Sequence, residues 1–215
     1  MLVKSRMSVP PLTIDPEESL SDAHAYMQKQ NVRHLPVVKP DGKMVGLITE
    51  DDLLKAEPSS ATSLSVWEIH YLLMAVKVKA VMVKDVITTT EDTPIEEAAH
   101  LMLDHKIGSL PVLRDDKLVG IITESDIFRT FMELFAAREK GLRITLEGPN
   151  KAGELAKITK AVADEGGYIS ACGTFNLEDT TKKGIILKIR SVEREKLTDA
   201  LAKIEGSTIL DIRKL

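Results

Sequence analysis

The sequence predicts an α+β chain: two β-α-β-β-α units forming a pseudo-twofold pair, followed by a β-α-β-β-α-β domain. Three observations carry this prediction. A stretch of about 55 residues recurs at an offset of about 75, apolar spacing alternates between the periods of strand and helix inside each copy, and Gly141 opens a segment that no longer follows the repeat.

The repeat is explicit in the residues. Leu35-Pro36-Val37-Val38 returns as Leu110-Pro111-Val112-Leu113, and the twelve residues from Lys43 to Leu54 match those from Lys117 to Phe128 at seven positions. Upstream, Val3-Lys4 with Met7 matches Val78-Lys79 with Met82. Each copy begins with an extended piece, Leu12-Thr13-Ile14 or Ile87-Thr88-Thr89. An acidic turn follows, Asp15-Pro16-Glu17-Glu18 or Glu91-Asp92-Thr93-Pro94, with the composition of a helix start. Leu20, Ala23 and Met27, and likewise Ile95, Ala98 and Met102, then place an apolar stripe on one helical face. Two short strands meet at a turn, and the second runs straight into a helix at Thr49 or Thr123. One such unit is too small to bury a core alone, so the copies are expected to pack together.

These residues resemble a pair of CBS motifs, the tandem called a Bateman module. The Leu-Pro-Val strand and the Gly-hydrophobic-hydrophobic-Thr-x-x-Asp junction, each present twice, carry the likeness over residues 2–135. The resemblance implies an adenine-containing ligand (AMP, ATP, NAD or S-adenosylmethionine) held in clefts between the motifs. Carried onto this chain, it implies that Asp52 and Asp126 hold ribose hydroxyls and that Thr49 and Thr123 reach phosphate. A helix start welcomes phosphate through its unpaired amides. The same Thr-x-x-Asp spacing is also that of a helix-capping pair, so both readings stand on the residues alone. Arg33 and His34 add charge to the first site where Gly108 and Ser109 add none, which predicts two unequal sites unless Arg33 is simply solvated.

The domain expectations are residues 1–56 and 77–140 for the CBS motifs, 57–76 for an insertion, and 141–215 for the last domain. The insertion predicts a helix with a capping pair at Ser65 and Glu68, and an apolar face of Ile69, Leu72, Leu73 and Val76. Trp67 reads either as an anchor for a partner or, with its helix, as packing on the CBS core or lining a self-association surface. The stretch from Ser60 to Leu73 is similar to the corresponding insertion of the acetoin-utilisation AcuB family.

After a helix expected to end near Lys140, strand Leu142–Leu146 and a helical stripe of Leu155, Ile158, Ala161 and Val162 follow. Tyr168–Leu177 and Lys183–Arg190 read as a hairpin, Leu197, Leu201 and Ile204 as a second helix, and Thr208–Ile212 as a last strand. That order is ferredoxin-like and resembles an ACT domain. The resemblance implies an amino-acid ligand at Asn150, Ala152, Gly153, Glu154 and Leu155, although the usual acid and proline of that turn are replaced here. Otherwise the domain reads as a dimerisation module.

Composition sets the outer limits. The chain has 215 residues, 43% hydrophobic and 29% charged, with a formal net charge of −4. Residues 1–140 carry 16 basic and 22 acidic side chains and the remainder 13 and 11, so neither part is a basic arm for nucleic acid. The longest apolar run, Tyr71–Val76, is far short of the ~20 residues that span a bilayer. One cysteine, Cys172, forms no internal disulfide; it reads as a small core residue, in a cytoplasmic protein. The five histidines lack metal-site spacing, and no catalytic motif stands out. The expectation is a non-enzymatic sensor of an adenine nucleotide, a homodimer or higher oligomer, acting on a protein target. The alternative is an oligomerisation module whose clefts are vestigial.

Overall fold

The computed structural model describes residues 1–56 and 74–215, which divide into two units, Met1–Ile127 and Phe128–Leu215. The expected capping pair, Trp67 and most of the apolar face of the insertion lie outside the described residues.

In the first unit, each copy builds the same local structure. Helix α1 (Leu20–Gln30) precedes strands β1 (His34–Val38) and β2 (Met44–Thr49) and helix α2 (Glu50–Ala56). A single turn of helix, α3 (Val78–Val81), leads into strand β3 (Thr89–Thr90), helix α4 (Ile95–His105), strands β4 (Ser109–Arg114) and β5 (Lys117–Thr123), and helix α5 (Glu124–Leu134), whose residues after Ile127 belong to the second unit. The two predicted stripes are buried: Leu20, Ala23, Met27 and their partners Ile95, Ala98 and Met102 are at most 7% exposed. Both helices close on a left-handed residue, Asn31 (φ 54°) and Lys106 (φ 55°), with the double backbone bond of a Schellman turn. The tighter second hairpin is a two-residue turn in which Asp115 and Asp116 both take positive φ.

The start of α1 differs from expectation. The acidic turn does not begin the helix; Ser19 does, its Oγ accepting from the Asp22 amide at 3.0 Å and donating to the Asp22 carboxylate at 2.6 Å. Asp15 is occupied one turn earlier, accepting from the Glu17 amide. A hydroxyl three residues before an acid outweighs a run of acids as a start signal.

The copies exchange segments crosswise. Val3 is fully buried in the core of the second copy, beside Ile95, Leu110 and Ile122, whereas Val78 is fully buried in the core of the first, beside Leu20, Leu35 and Ile48. Ser8 pairs with Ile121 and Val83 with Leu47, each through backbone bonds in both directions. The junction glycines exist for this crossing. A Cβ on Gly46 would sit 2.6 Å from the Met82 Sδ, and one on Gly120 would sit 2.7 Å from the Met7 Sδ.

In the second unit, strand β6 (Leu142–Pro149), helix α6 (Glu154–Asp164), strands β7 (Tyr168–Asn176) and β8 (Lys182–Arg190), helix α7 (Arg194–Ala202) and strand β9 (Thr208–Lys214) follow in turn. The sheet order β7-β8-β6-β9, antiparallel throughout, is that of the predicted β-α-β-β-α-β unit. Ile158, Val162, Leu197 and Leu201 of the helices pack on Ile144, Leu146, Leu187 and Ile189 of the sheet. Ile204 lies past the end of α7 and still packs against this core.

Two further expectations are corrected. Helix α5 ends at Leu134 rather than near Lys140, because Ala136 turns left-handed (φ 46°) and the Ala136 and Ala137 amides fold back on the Glu133 and Met132 carbonyls. Cys172 is exposed, not buried. It lies on the outer strand β7, beyond a bulge between Ile169 and Ala171 that resets the alternation of that strand. Partial burial still raises its thiol above the ordinary value.

Candidate functional site

The junctions that the sequence singles out adopt one geometry twice. The Thr49 amide and hydroxyl both donate to Asp52 Oδ2, at 3.0 and 2.7 Å, and the Asp52 amide donates back to Thr49 Oγ1 at 3.2 Å. Thr123 and Asp126 repeat the first two bonds at the same distances. Both capping pairs are therefore real, and each uses Oδ2 of its aspartate. Asp126 is 6% exposed; Asp52 is half-buried.

A cleft of about 480 Å³ opens in the first unit. Arg33, His34, Thr49 and Asp52 of the first copy line one side, and Lys106, Ile107, Gly108, Ser109 and Glu124 of the second line the other. Thr123 and Asp126 are not among its lining residues. The loop 106–109 is the repeat partner of the loop that carries Arg33 and His34, so the cleft straddles the internal twofold. Ser109 is 1% exposed, and its hydroxyl has no hydrogen-bond partner among the described residues.

The wall also contains Val83, Asp85, Val86 and Ile87, which the sequence reading passed over. Their signal was present in the match of Val3 and Met7 to Val78 and Met82, because that match marks the segments that cross over. Lys55 and Glu124 were missed because they matter only once the helix starts face the cleft.

His34 sits against Gly108, where an added Cβ would lie 3.2 Å from its Nε2. Burial, helped by the Arg33 charge, pushes its pKa below the ordinary 6.5, against smaller opposing pulls from Glu124, Asp51 and Asp52. The folded state therefore binds fewer protons at this ring than the unfolded chain does. Its contribution to stability is intact above the unfolded value and is lost as pH falls through it. Thermal melts should show a decline in Tm between about pH 7.5 and 5.5 that His34→Gln flattens. An equal decline in the variant would remove His34 as its cause.

The turn expected to hold an amino acid is built differently. Asn150 is tied to the hairpin loop by its amide to the Thr181 carbonyl (2.7 Å) and its Nδ2 to the Thr180 carbonyl (3.1 Å). Ala152 and Leu155 are exposed, and Gly153 is left-handed (φ 88°) with open space around it. Glu154 is 3% exposed, and its hydrogen bond from Lys157, with Lys151 nearby, holds its carboxyl below the ordinary value.

The CBS domain family matches residues 3–59 and 78–133, together more than half of the chain. The chain belongs to the CBS-domain family. A CBS domain pair in complex with 5′-methylthioadenosine and S-adenosyl-L-methionine is 33% identical, with a TM-score of 0.52 over 65% of this chain and 98% of that one. A Vibrio cholerae protein named for acetoin utilization, AcuB, is 32% identical with a TM-score of 0.53, covering 64% of this chain and 95% of that one. CBSX2 in complex with AMP is 27% identical, with a TM-score of 0.53 over 62% and 97% of the two chains. Among curated proteins, the L-aspartate semialdehyde sulfurtransferase of Methanocaldococcus jannaschii is 34% identical over 131 residues, which is 60% of this chain but 23% of that protein. The inosine-5′-monophosphate dehydrogenase of the same organism is 31% identical over 157 residues, 71% of this chain and 29% of that one. The chain spans less than a third of the length of these two relatives. Among the described residues, no cluster of three or more metal-binding side chains occurs, and no helix is long and apolar enough to cross a membrane.

Proposed function

We propose that this chain is a non-enzymatic regulatory module that senses an adenosine-containing ligand in the cleft between its CBS motifs. The observation that carries the reading is the cleft itself: its volume suits a nucleoside, and both motifs line it. Asp52 is the proposed ribose ligand, because its cap employs Oδ2 and a carboxylate accepts at both oxygens. Thr49, Arg33 and His34 contact the remainder of the ligand, and Thr123 with Asp126 would serve an equivalent second position.

Charge refines the ligand class. The described lining residues include five carboxylates, Glu50, Asp51, Asp52, Asp85 and Glu124, against the cations Arg33, Lys55 and Lys106. His34 adds little charge near neutral pH, since burial keeps its pKa low. The Thr49 amide at the helix start is already spent on Asp52. An excess of negative charge opposes a polyphosphate and suits a neutral or cationic adenosine compound. 5′-Methylthioadenosine and S-adenosylmethionine, held by the CBS pair of similar structure, fit better than ATP; AMP falls between.

A ligand touching both motifs favours the arrangement in which they are correctly spaced, which is a population shift. The C-terminal ACT-like domain is read as the dimerisation part, through the outer strands β7 and β9, each paired on one side only among the described residues. A second small ligand at Asn150–Leu155 is the lesser reading, because the buried Glu154 carboxylate already lies at that helix start. The likeness to the protein named for acetoin utilization supports a target in acetoin or related carbon metabolism.

Calorimetric titration of the nucleotide-stripped full chain tests this reading with 5′-methylthioadenosine, S-adenosylmethionine, AMP, NAD and ATP. Saturable binding is expected, strongest for the first two. No heat from any of the five would leave the oligomerisation module as the better account.

A further inference from the structure

The C-terminal sheet turns Ile185, Leu187 and Ile189 toward its helices and the alternate residues of β8 to the opposite face. On that face Lys188 pairs directly with Arg143 of β6, and Arg143 directly with Arg213 of β9. Three cations therefore stand side by side across three strands. Such neighbours lie about 5 Å apart at Cβ and repel one another.

The acids of this face are already engaged. Asp211 takes Arg213 through two bonds of 2.8 and 2.9 Å and reaches Arg143 at 3.4 Å, and Glu147 is held by Lys182 at 2.6 Å. Lys188 is 3% exposed, and its ammonium has no hydrogen-bond partner among the described residues. A buried ammonium with no acceptor is among the costliest groups a fold can retain. The segment joining α5 to β6 passes over it: a Cβ on Gly141 would lie 3.7 Å from the Lys188 Cε, and the Phe135 ring covers Gly173 on the next row. Toward solvent, the row continues into Arg143 and Arg213, whose side chains are 34% and 62% exposed.

We propose that a small oxyanion, the phosphate or carboxylate group of a metabolite, binds on this face between Lys188, Arg143 and Arg213. Lys188 closes the inner end as a point charge, while the two guanidiniums, with donors left over after Asp211 and the Thr145 hydroxyl are served, present planar N–H groups from the open side. This site is separate from the cleft of the CBS pair and does not depend on what that cleft binds.

The test is a thermal melt of the full chain in chloride, inorganic phosphate and acetate at matched ionic strength, with Lys188→Met and Arg143→Gln beside the unaltered protein. The expected result is a phosphate-dependent rise in Tm of about 3 °C or more. Arg143→Gln should reduce the rise and Lys188→Met abolish it. Lys188→Met should also melt higher than the unaltered protein in chloride, since it removes a buried unpaired charge. The acetate arm separates a carboxylate preference from a phosphate one. No anion-specific rise in the unaltered protein, or an equal rise in both variants, would overturn the proposal. If Lys188→Met does not fold, Arg143→Gln decides alone.

Discussion

Asp52→Asn is expected to weaken adenosine-ligand binding by roughly 10–100-fold, the worth of one or two hydrogen bonds to a charged acceptor. It should do so without unfolding the helix start. An asparagine side chain still offers one carbonyl oxygen to the Thr49 amide and hydroxyl, which now converge on a single carboxylate oxygen. What it loses is the second acceptor, the atom proposed for the ribose. Asp126→Asn is the comparison for this cleft, because Asp126 has a like cap and does not line it, so that any loss of binding there reports on the second position instead. Calorimetry and thermal melts on both variants check the prediction. Equal losses of Tm with no change in affinity would make both aspartates caps and nothing more.

The second large effect is expected at the crossing points. Gly46→Ala places a methyl group 2.6 Å from the Met82 Sδ and 2.7 Å from the Val83 carbonyl oxygen, and the latter is backbone that cannot swing away. Overpacking of this kind costs about 1–3 kcal/mol. For a chain of this size that is a fall in Tm of about 3–10 °C. The Leu47–Val83 bonds, both 2.9 Å, would be strained or broken. Gly120→Ala meets the flexible Met7 Sδ at 2.7 Å but its nearest backbone oxygen, Ser8, only at 3.1 Å, so its loss should be smaller. Val83 also lines the cleft, so Gly46→Ala should weaken ligand binding as well. Melting curves that rank Gly120→Ala as the more damaging would contradict this account.

Much of this was legible in the chain because it is local. The buried stripes of α1 and α4 follow from spacing of three and four, and the Thr-x-x-Asp pairs were visible as caps. What escaped the reading depends on register or on distant partners. Nothing near Cys172 announces the bulge that resets its strand. Lys188 looks like any outward residue of an alternating strand until the segment before β6 is seen to cover it. The wall of the cleft at Val83–Ile87 is assigned only once the copies are known to exchange segments. Ser19 is a different case: its signal was local, and the neighbouring acids obscured it.

The crosswise exchange means that the unit copied in the sequence is not the unit that folds. Val3, at one end of the first copy, plugs the core of the second, and the bond from its amide to the Thr93 carbonyl closes a loop of about 90 residues. Neither copy can complete its interior before the other has been made. The two should therefore unfold in a single transition, and a cut between them should leave two fragments that each lack a piece of their own core.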